Sequence, residues 1–122
     1  MKRLFILVGF VLAGCQTGQV TETAGAARLS TPADFATLYG QRLTFGDSDF
    51  VTINANGTLS GNFSGVETLG TWEVRDGFWC RELSAGPRGP APEDCQLFVR
   101  DGNALNITRE RGNGASFVYM IS

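Results

Sequence analysis

Histidine is absent from this chain, and its only lysine is Lys2. These two gaps remove much chemistry at once. A serine or cysteine nucleophile served by histidine, a histidine metal site and a lysine Schiff base each lack their central group. Concentrated positive charge is missing too. The 122-residue chain has ten basic and twelve acidic residues, and without Lys2 and Arg3 the balance is eight arginines against twelve acids, a net charge of −4. A phosphate backbone needs a basic surface, so nucleic acid is excluded as a partner. Serine, arginine and carboxylates remain as catalytic groups. The carboxylates Glu67, Glu73, Asp76, Glu82, Glu93, Asp94, Asp101 and Glu110 are scattered over predicted outer faces and turns. No two are expected to converge as a glycosidase pair does. Asp47, Asp49 and Asn54 match no EF-hand spacing, and Asp47 and Ser48 read as turn formers. The expectation is a non-enzymatic protein with no metal and no cofactor.

Long hydrophobic runs are scarce as well. The apolar stretch Leu4 to Leu12, broken by Gly9 and preceded by Lys2 and Arg3, is too short to span a bilayer as a helix and reads as a signal-peptide core. It ends in Leu12-Ala13-Gly14-Cys15, which resembles the lipobox of bacterial lipoproteins at all four positions. The resemblance implies that residues 1–14 are removed as a signal peptide and that Cys15 is lipidated, with acylation of the new amino terminus by chains such as palmitate. Gln16, in place of Asp, implies sorting to the outer membrane of a Gram-negative cell with the domain facing the periplasm. The cell surface and the outer face of the inner membrane are the alternatives. Several acyl chains on one residue make a stable anchor, whereas one binds only marginally. The expected partners are the membrane, through Cys15, and a periplasmic protein, with the chain itself a monomer.

With Cys15 lipidated, Cys80 and Cys95 remain, fourteen residues between them, in an oxidising compartment. A disulfide is the expected state. Two cysteines without histidine make a poor zinc site. Residues 15–30, rich in Thr, Gly, Ala and Gln, read as a flexible tether. Residues 31–122 read as a single domain. It opens with a short helix capped by Thr31, with Pro32 and Asp34 in its first turn and Phe35, Leu38 and Tyr39 on one face. That face is expected to plug one end of a sheet, or lie across it.

From Gln41 onward the apolar period is two, with strands expected near 41–46, 49–54, 58–63, 68–74, 78–83, 95–100, 103–109 and 116–121. Three connections share one chemistry: Ala55-Asn56-Gly57, Arg75-Asp76-Gly77 and Arg100-Asp101-Gly102. Three-residue loops would set Ile53 opposite Leu59, Trp72 opposite Cys80, Val74 opposite Phe78 and Leu97 opposite Leu105. Two-residue turns would slip each pair by one and reverse the faces. The apolar match favours the three-residue loops. The inner face is then Val51, Ile53, Leu59, Phe63, Trp72, Val74, Phe78, Cys80, Cys95, Leu97, Val99, Leu105 and Ile107. Successive hairpins of this length predict an all-β fold with one short helix, a small antiparallel up-and-down barrel of about eight strands. A two-sheet sandwich is the alternative. Residues 84–94 carry three prolines and are expected to be a loop tied at its ends by the disulfide.

In that register Trp79, Arg81 and Phe98 face outward. Either the helix or the long loop covers them, or they form a partner surface together with Arg88 at the loop tip. Gly57-Thr58-Leu59-Ser60-Gly61, Gly70-Thr71-Trp72, Asp76-Gly77-Phe78-Trp79-Cys80-Arg81 and Asp94-Cys95-Gln96 resemble a group of short exported β-proteins from alphaproteobacteria, over roughly residues 40–120. Some of that group carry the name dihydrodipicolinate reductase. The name does not transfer, because no dinucleotide fingerprint follows a strand here and the chain is too short for a Rossmann domain plus a substrate domain. Gly70 and Trp72 are also similar to an element of lipocalin-like barrels and of small-barrel inhibitors of bacterial metalloproteases. The functional expectation is a lipid-anchored periplasmic binding or envelope-maintenance module. The alternatives are a carrier of a small apolar ligand and a protease inhibitor. A barrel so small is expected to be filled by Phe63, Trp72 and Phe78.

Overall fold

The computed structural model describes residues 25–122. The signal peptide expected over 1–14, the lipidation site Cys15 and the tether up to residue 24 lie outside the described residues. Beyond Gln41 the strands form where the sequence alternates: β2 (Arg42–Phe45), β3 (Asp49–Ile53), β4 (Thr58–Phe63), β5 (Val66–Arg75), β6 (Phe78–Ala85), β7 (Ala91–Asp101), β8 (Ala104–Thr108) and β9 (Ser116–Ile121). Each pairs antiparallel with the next, and β9 returns to β2 with Ile121 opposite Leu43, so these eight strands close a barrel. The up-and-down barrel is realised and the sandwich is not. Closure leaves the ring without a free edge.

One strand falls inside the stretch read as tether. β1 (Ala26–Leu29) pairs with the second half of β7, Leu29 opposite Phe98, beyond the point where the β6 ladder ends at Trp79 and Gln96. Its single large apolar residue, Leu29, is buried. Four residues with one such side chain carry no readable period.

The expected helix is α1 (Pro32–Ala36). Thr31 and Asp34 form a reciprocal capping box at its start, the Thr31 side chain accepting from the Asp34 backbone and the Asp34 carboxylate accepting from Thr31. Phe35 and Leu38 are fully buried. Phe35 meets Phe98 edge-on with centroids 5.1 Å apart, and Tyr39 tilts against Trp72 at 5.8 Å. The helix therefore plugs the barrel at the end where β3, β5 and β7 finish.

Two of the expected registers are corrected. The β3–β4 loop is as read, with Ile53 opposite Leu59 across Ala55-Asn56-Gly57. Between β5 and β6, Arg75 instead pairs with Phe78, leaving the two-residue turn Asp76-Gly77. Both turn residues have positive φ, 54° and 82°, as a type I′ turn requires. Between β7 and β8, Asp101 pairs with Ala104 and the turn is Gly102-Asn103. Trp72 thus faces Arg81, Val74 faces Trp79, and Leu97 faces Thr108 rather than Leu105. The consequence is a reversal of faces on β6 and β7. Phe78, Cys80, Cys95, Leu97 and Val99 take the outer side, and Trp79, Arg81, Leu83, Gln96 and Phe98 take the inner one. Both strands carry large apolar residues on both faces, so alternation there has no sign. The backbone preference of Asp76-Gly77 decides it for β6, and the β6–β7 ladder carries it to β7.

The outer apolar residues find local cover. Arg28 and Arg111 lie over the Phe78 ring, 4.8 Å and 5.2 Å from its centroid. Cys80 and Cys95 sit directly opposite each other on β6 and β7 and are joined as the expected disulfide. The stretch expected to be a loop over 84–94 is shorter than that, because β6 runs to Ala85 and β7 begins at Ala91. Pro92 is tolerated since the ladder skips at that point, between Arg81 opposite Asp94 and Leu83 opposite Ala91, and needs no N–H there. Gly70 marks another close approach: a methyl at its Cα would stand 2.2 Å from the Glu82 carbonyl oxygen.

Between β8 and β9 the segment α2 (Arg109–Gly112) is a turn of the wrong hand for a helix, with φ of 53° at Glu110 and 55° at Arg111. Left-handed backbone at non-glycine residues costs roughly 1–2 kcal/mol each, and a side chain from β7 compensates for it.

Candidate functional site

That side chain is Asp94, and it belongs to the open end of the barrel. Its carboxylate is buried and accepts from Gln96 Nε2 at 2.8 Å, Arg109 Nε at 3.0 Å and the Glu110 backbone N–H at 3.0 Å. Burial pushes its pKa up, and the donors from Gln96, Glu110 and Arg109 more than reverse this, so the carboxyl sits below its ordinary value. Asp94 fixes the strained turn and orients Arg109 along the mouth.

Below this mouth lies a cavity of about 210 Å³ that opens at the end opposite α1. Leu43, Val51, Ile53 and Leu59 form its depth, and Trp79, Phe98 and Ile107 line one wall. Phe63, Leu83, Pro87, Phe117 and Tyr119 surround the entrance, where Arg81, Arg109, Gln96 and Thr68 supply the polar groups. The expectation of a filled barrel holds for half of it. Trp72 fills the plugged end, but Phe78 is outside and the other end is hollow.

Arg81 is the charge that stands out. It is half-buried, and its Nη1 donates to the Pro92 carbonyl at 3.3 Å. Among the described residues no carboxylate lies within ion-pair distance of it; the same holds for Arg28, Arg42, Arg88 and Arg100, but none of these borders the cavity. Burial lowers its pKa, and the neighbouring Arg109 acts in the same direction against the attraction of Asp94. Asp94 faces Arg81 across the β6–β7 ladder, but its oxygens are already taken. Tyr119, held between Phe45 and Phe63 at the rim, has its phenol pKa raised by burial, with Arg81 opposing, and stays a protonated donor at neutral pH.

The two tryptophans stack at 6.2 Å but differ in their N–H groups. The Trp72 indole donates to the Asn54 and Thr58 carbonyls at 3.1 and 3.0 Å. The Trp79 indole N–H is buried without an acceptor among the described residues. A buried tryptophan N–H ordinarily finds a partner.

Of the four residues proposed as an outer partner surface, the structure brings three inward. Trp79 and Phe98 are buried in the core, at 5% and 1% exposure, and Arg81 reaches the mouth from inside. That surface does not exist as read. Only Arg88 is exposed, at the tip of the connection between β6 and β7. Asp49 and Asn54, weighed as cation ligands, stand at opposite ends of β3, Asp49 accepting from the Ser64 N–H and Asn54 donating to Thr58. Among the described residues no three His, Cys, Asp or Glu side chains converge as a metal set, and none of the helices in that part is long and apolar enough to cross a membrane. Sequence reasoning missed Asp94, Gln96 and Arg109 as a group, and the hollow itself. The usable signal was the I′ preference of Asp-Gly, which would have turned Trp79, Arg81 and Phe98 inward together.

Comparison of the chain with protein-family models, with curated proteins and with solved structures finds no match in any of the three.

Proposed function

We propose that this chain is a lipid-anchored binding module whose barrel receives a small organic molecule with an apolar body. The observation that supports this most is the 210 Å³ cavity, apolar in its depth, open at one end, with a few polar groups gathered at its mouth. Ligand sites in proteins have this composition, a hydrophobic lining and a small number of placed polar groups. The volume is small for a ligand pocket. An apolar cavity of about 150 Å³ holds a benzene molecule, so this one suits a body of about eight carbon atoms. The module acts by holding its guest rather than transforming it, as the groups at the mouth include neither histidine nor lysine. Its place is the periplasmic face of the outer membrane, a reading supported by Leu12-Ala13-Gly14-Cys15 and Gln16 alone.

Titration with 1-octanol, followed by NMR, tests the chamber. Shifts confined to the cavity lining and saturating with concentration are the expected result, and their absence up to the solubility limit overturns it. Labelled palmitate tests the anchor: it should appear on the wild-type chain and vanish from Cys15→Ser, and equal labelling of both contradicts the anchor.

A further inference from the structure

Resting on the reading of the cavity as a binding chamber, we infer that its guest is a small organic carboxylate, with the carboxylate on Arg81 at the mouth and the hydrocarbon body below. The charge balance of the open end leads there. A guanidinium keeps its proton at any pH the protein meets, so a half-buried arginine cannot escape its desolvation by becoming neutral. Among the described residues the Arg81 side chain has one hydrogen bond, to the Pro92 carbonyl. Its nearest carboxylate, Asp94, is committed to Gln96, Arg109 and Glu110. Asp49, the other acid whose field reaches the rim, is engaged by the Ser64 N–H at 2.9 Å. Arg109, at the same mouth, already has its counter-charge. Among the described residues the rim is therefore one anion short, and the missing anion would stand where Arg81 borders the cavity.

Other classes of guest fit less well. An amine would meet two guanidinium groups at the entrance. A neutral alcohol would shed water from Arg81 without replacing it. A carboxylate presents two oxygens to the planar fork of the guanidinium, the pairing that arginine makes best. The protonated Tyr119 hydroxyl offers a further donor at the rim.

The test uses the full-length mature chain, exported behind a cleavable signal with Cys15→Ser so that no attached acyl chain competes for the cavity. Octanoate, 1-octanol and octylamine are titrated by calorimetry, with NMR locating the site. Octanoate should bind at least about tenfold more tightly than 1-octanol, as expected for one charge-assisted contact, and added salt should weaken only octanoate. Arg81→Met should bring octanoate down to the level of 1-octanol, and Arg88→Gln, at the exposed loop tip, should leave all three unchanged. Should Arg81→Met fail to fold, Arg81→Lys, which keeps the charge and loses the fork, should weaken octanoate severalfold. Equal binding of acid and alcohol in the wild type overturns the carboxylate and leaves the chamber standing. Tighter binding of octylamine, or an octanoate preference that survives both Arg81 substitutions, also overturns it. If none of the three ligands shifts the cavity residues, the chamber falls with it.

Discussion

At the end of the barrel plugged by α1, large side chains meet one another. Phe35 lies on Phe98, Tyr39 on Trp72, and the Trp72 N–H reaches two carbonyls. At the other end the same strands diverge around a hollow whose lining arginine, Arg81, has no carboxylate at ion-pair distance among the described residues, and on the inner wall of that hollow the Trp79 N–H lacks an acceptor among them. The plugged end obeys the rules of a core: close packing and satisfied polar groups. The hollow departs from them at Arg81, at Trp79 on its inner wall and in its missing volume. Three departures around one cavity are what a place for a guest looks like.

The contrast can be broken by truncation. Phe35→Ala, at the plug, should lower unfolding free energy by about 3–5 kcal/mol, while Phe117→Ala, on the half-open rim, should cost under about 1 kcal/mol. Chemical denaturation of both variants checks this, and equal losses would remove the distinction between the ends. Next in size is the staple joining the middle of the two strands that run between them. The fifteen-residue separation of Cys80 and Cys95 gives a loop worth about 3 kcal/mol in the chain-entropy model. A Cys80→Ser, Cys95→Ser double variant should lose about that much, read as a fall in denaturation midpoint.

Asp94→Asn should cost about 2 kcal/mol, as it weakens a buried acceptor of three hydrogen bonds. It should also change the acid limb. The Asp94 carboxyl, held down by its donors, and that of Asp34, held down first by the Ser30 backbone N–H, both titrate below the ordinary 3.8. The folded chain therefore binds these protons less readily than the unfolded one. Their stabilisation is complete above about pH 5 and declines as pH falls through the lowered folded values. Melting temperature against pH should drop below about pH 4 in the wild type and drop less in Asp94→Asn. The smallest effect is expected at Arg81. Arg81→Met should change the stability of the free protein by less than about 1 kcal/mol, with a slight gain consistent with removal of an unpaired, half-buried charge.

The two ends also differed in how legible they were. The helix, its cap and its aromatic face stood in Thr31-Pro32-Ala33-Asp34 and in the spacing of Phe35, Leu38 and Tyr39. All the strands from β2 onward stood in the alternation, and the disulfide in the cysteine count. The open end was hidden by one residue of register. Trp79 and Phe98 compete with Phe78, Cys80, Leu97 and Val99 for the inner face, and hydropathy ranks neither set above the other. Only the turn geometry of Asp76-Gly77 separates them. β1 was hidden differently, because Ala26 to Leu29 gains its order from the unfilled flank of β7 rather than from its own pattern.

The hollow can be told from the plug at the two tryptophans of the chain, because Trp79 lines the cavity and Trp72 does not. In a ¹⁵N NMR titration of the oxidised protein with octanoate, the Trp79 indole N–H is predicted to shift to saturation. The Trp72 indole N–H, bonded at the plugged end, should move far less. Shifts that leave Trp79 in place, or that appear only on the exposed outer residues Val118 and Met120, would contradict an open end built to hold a guest.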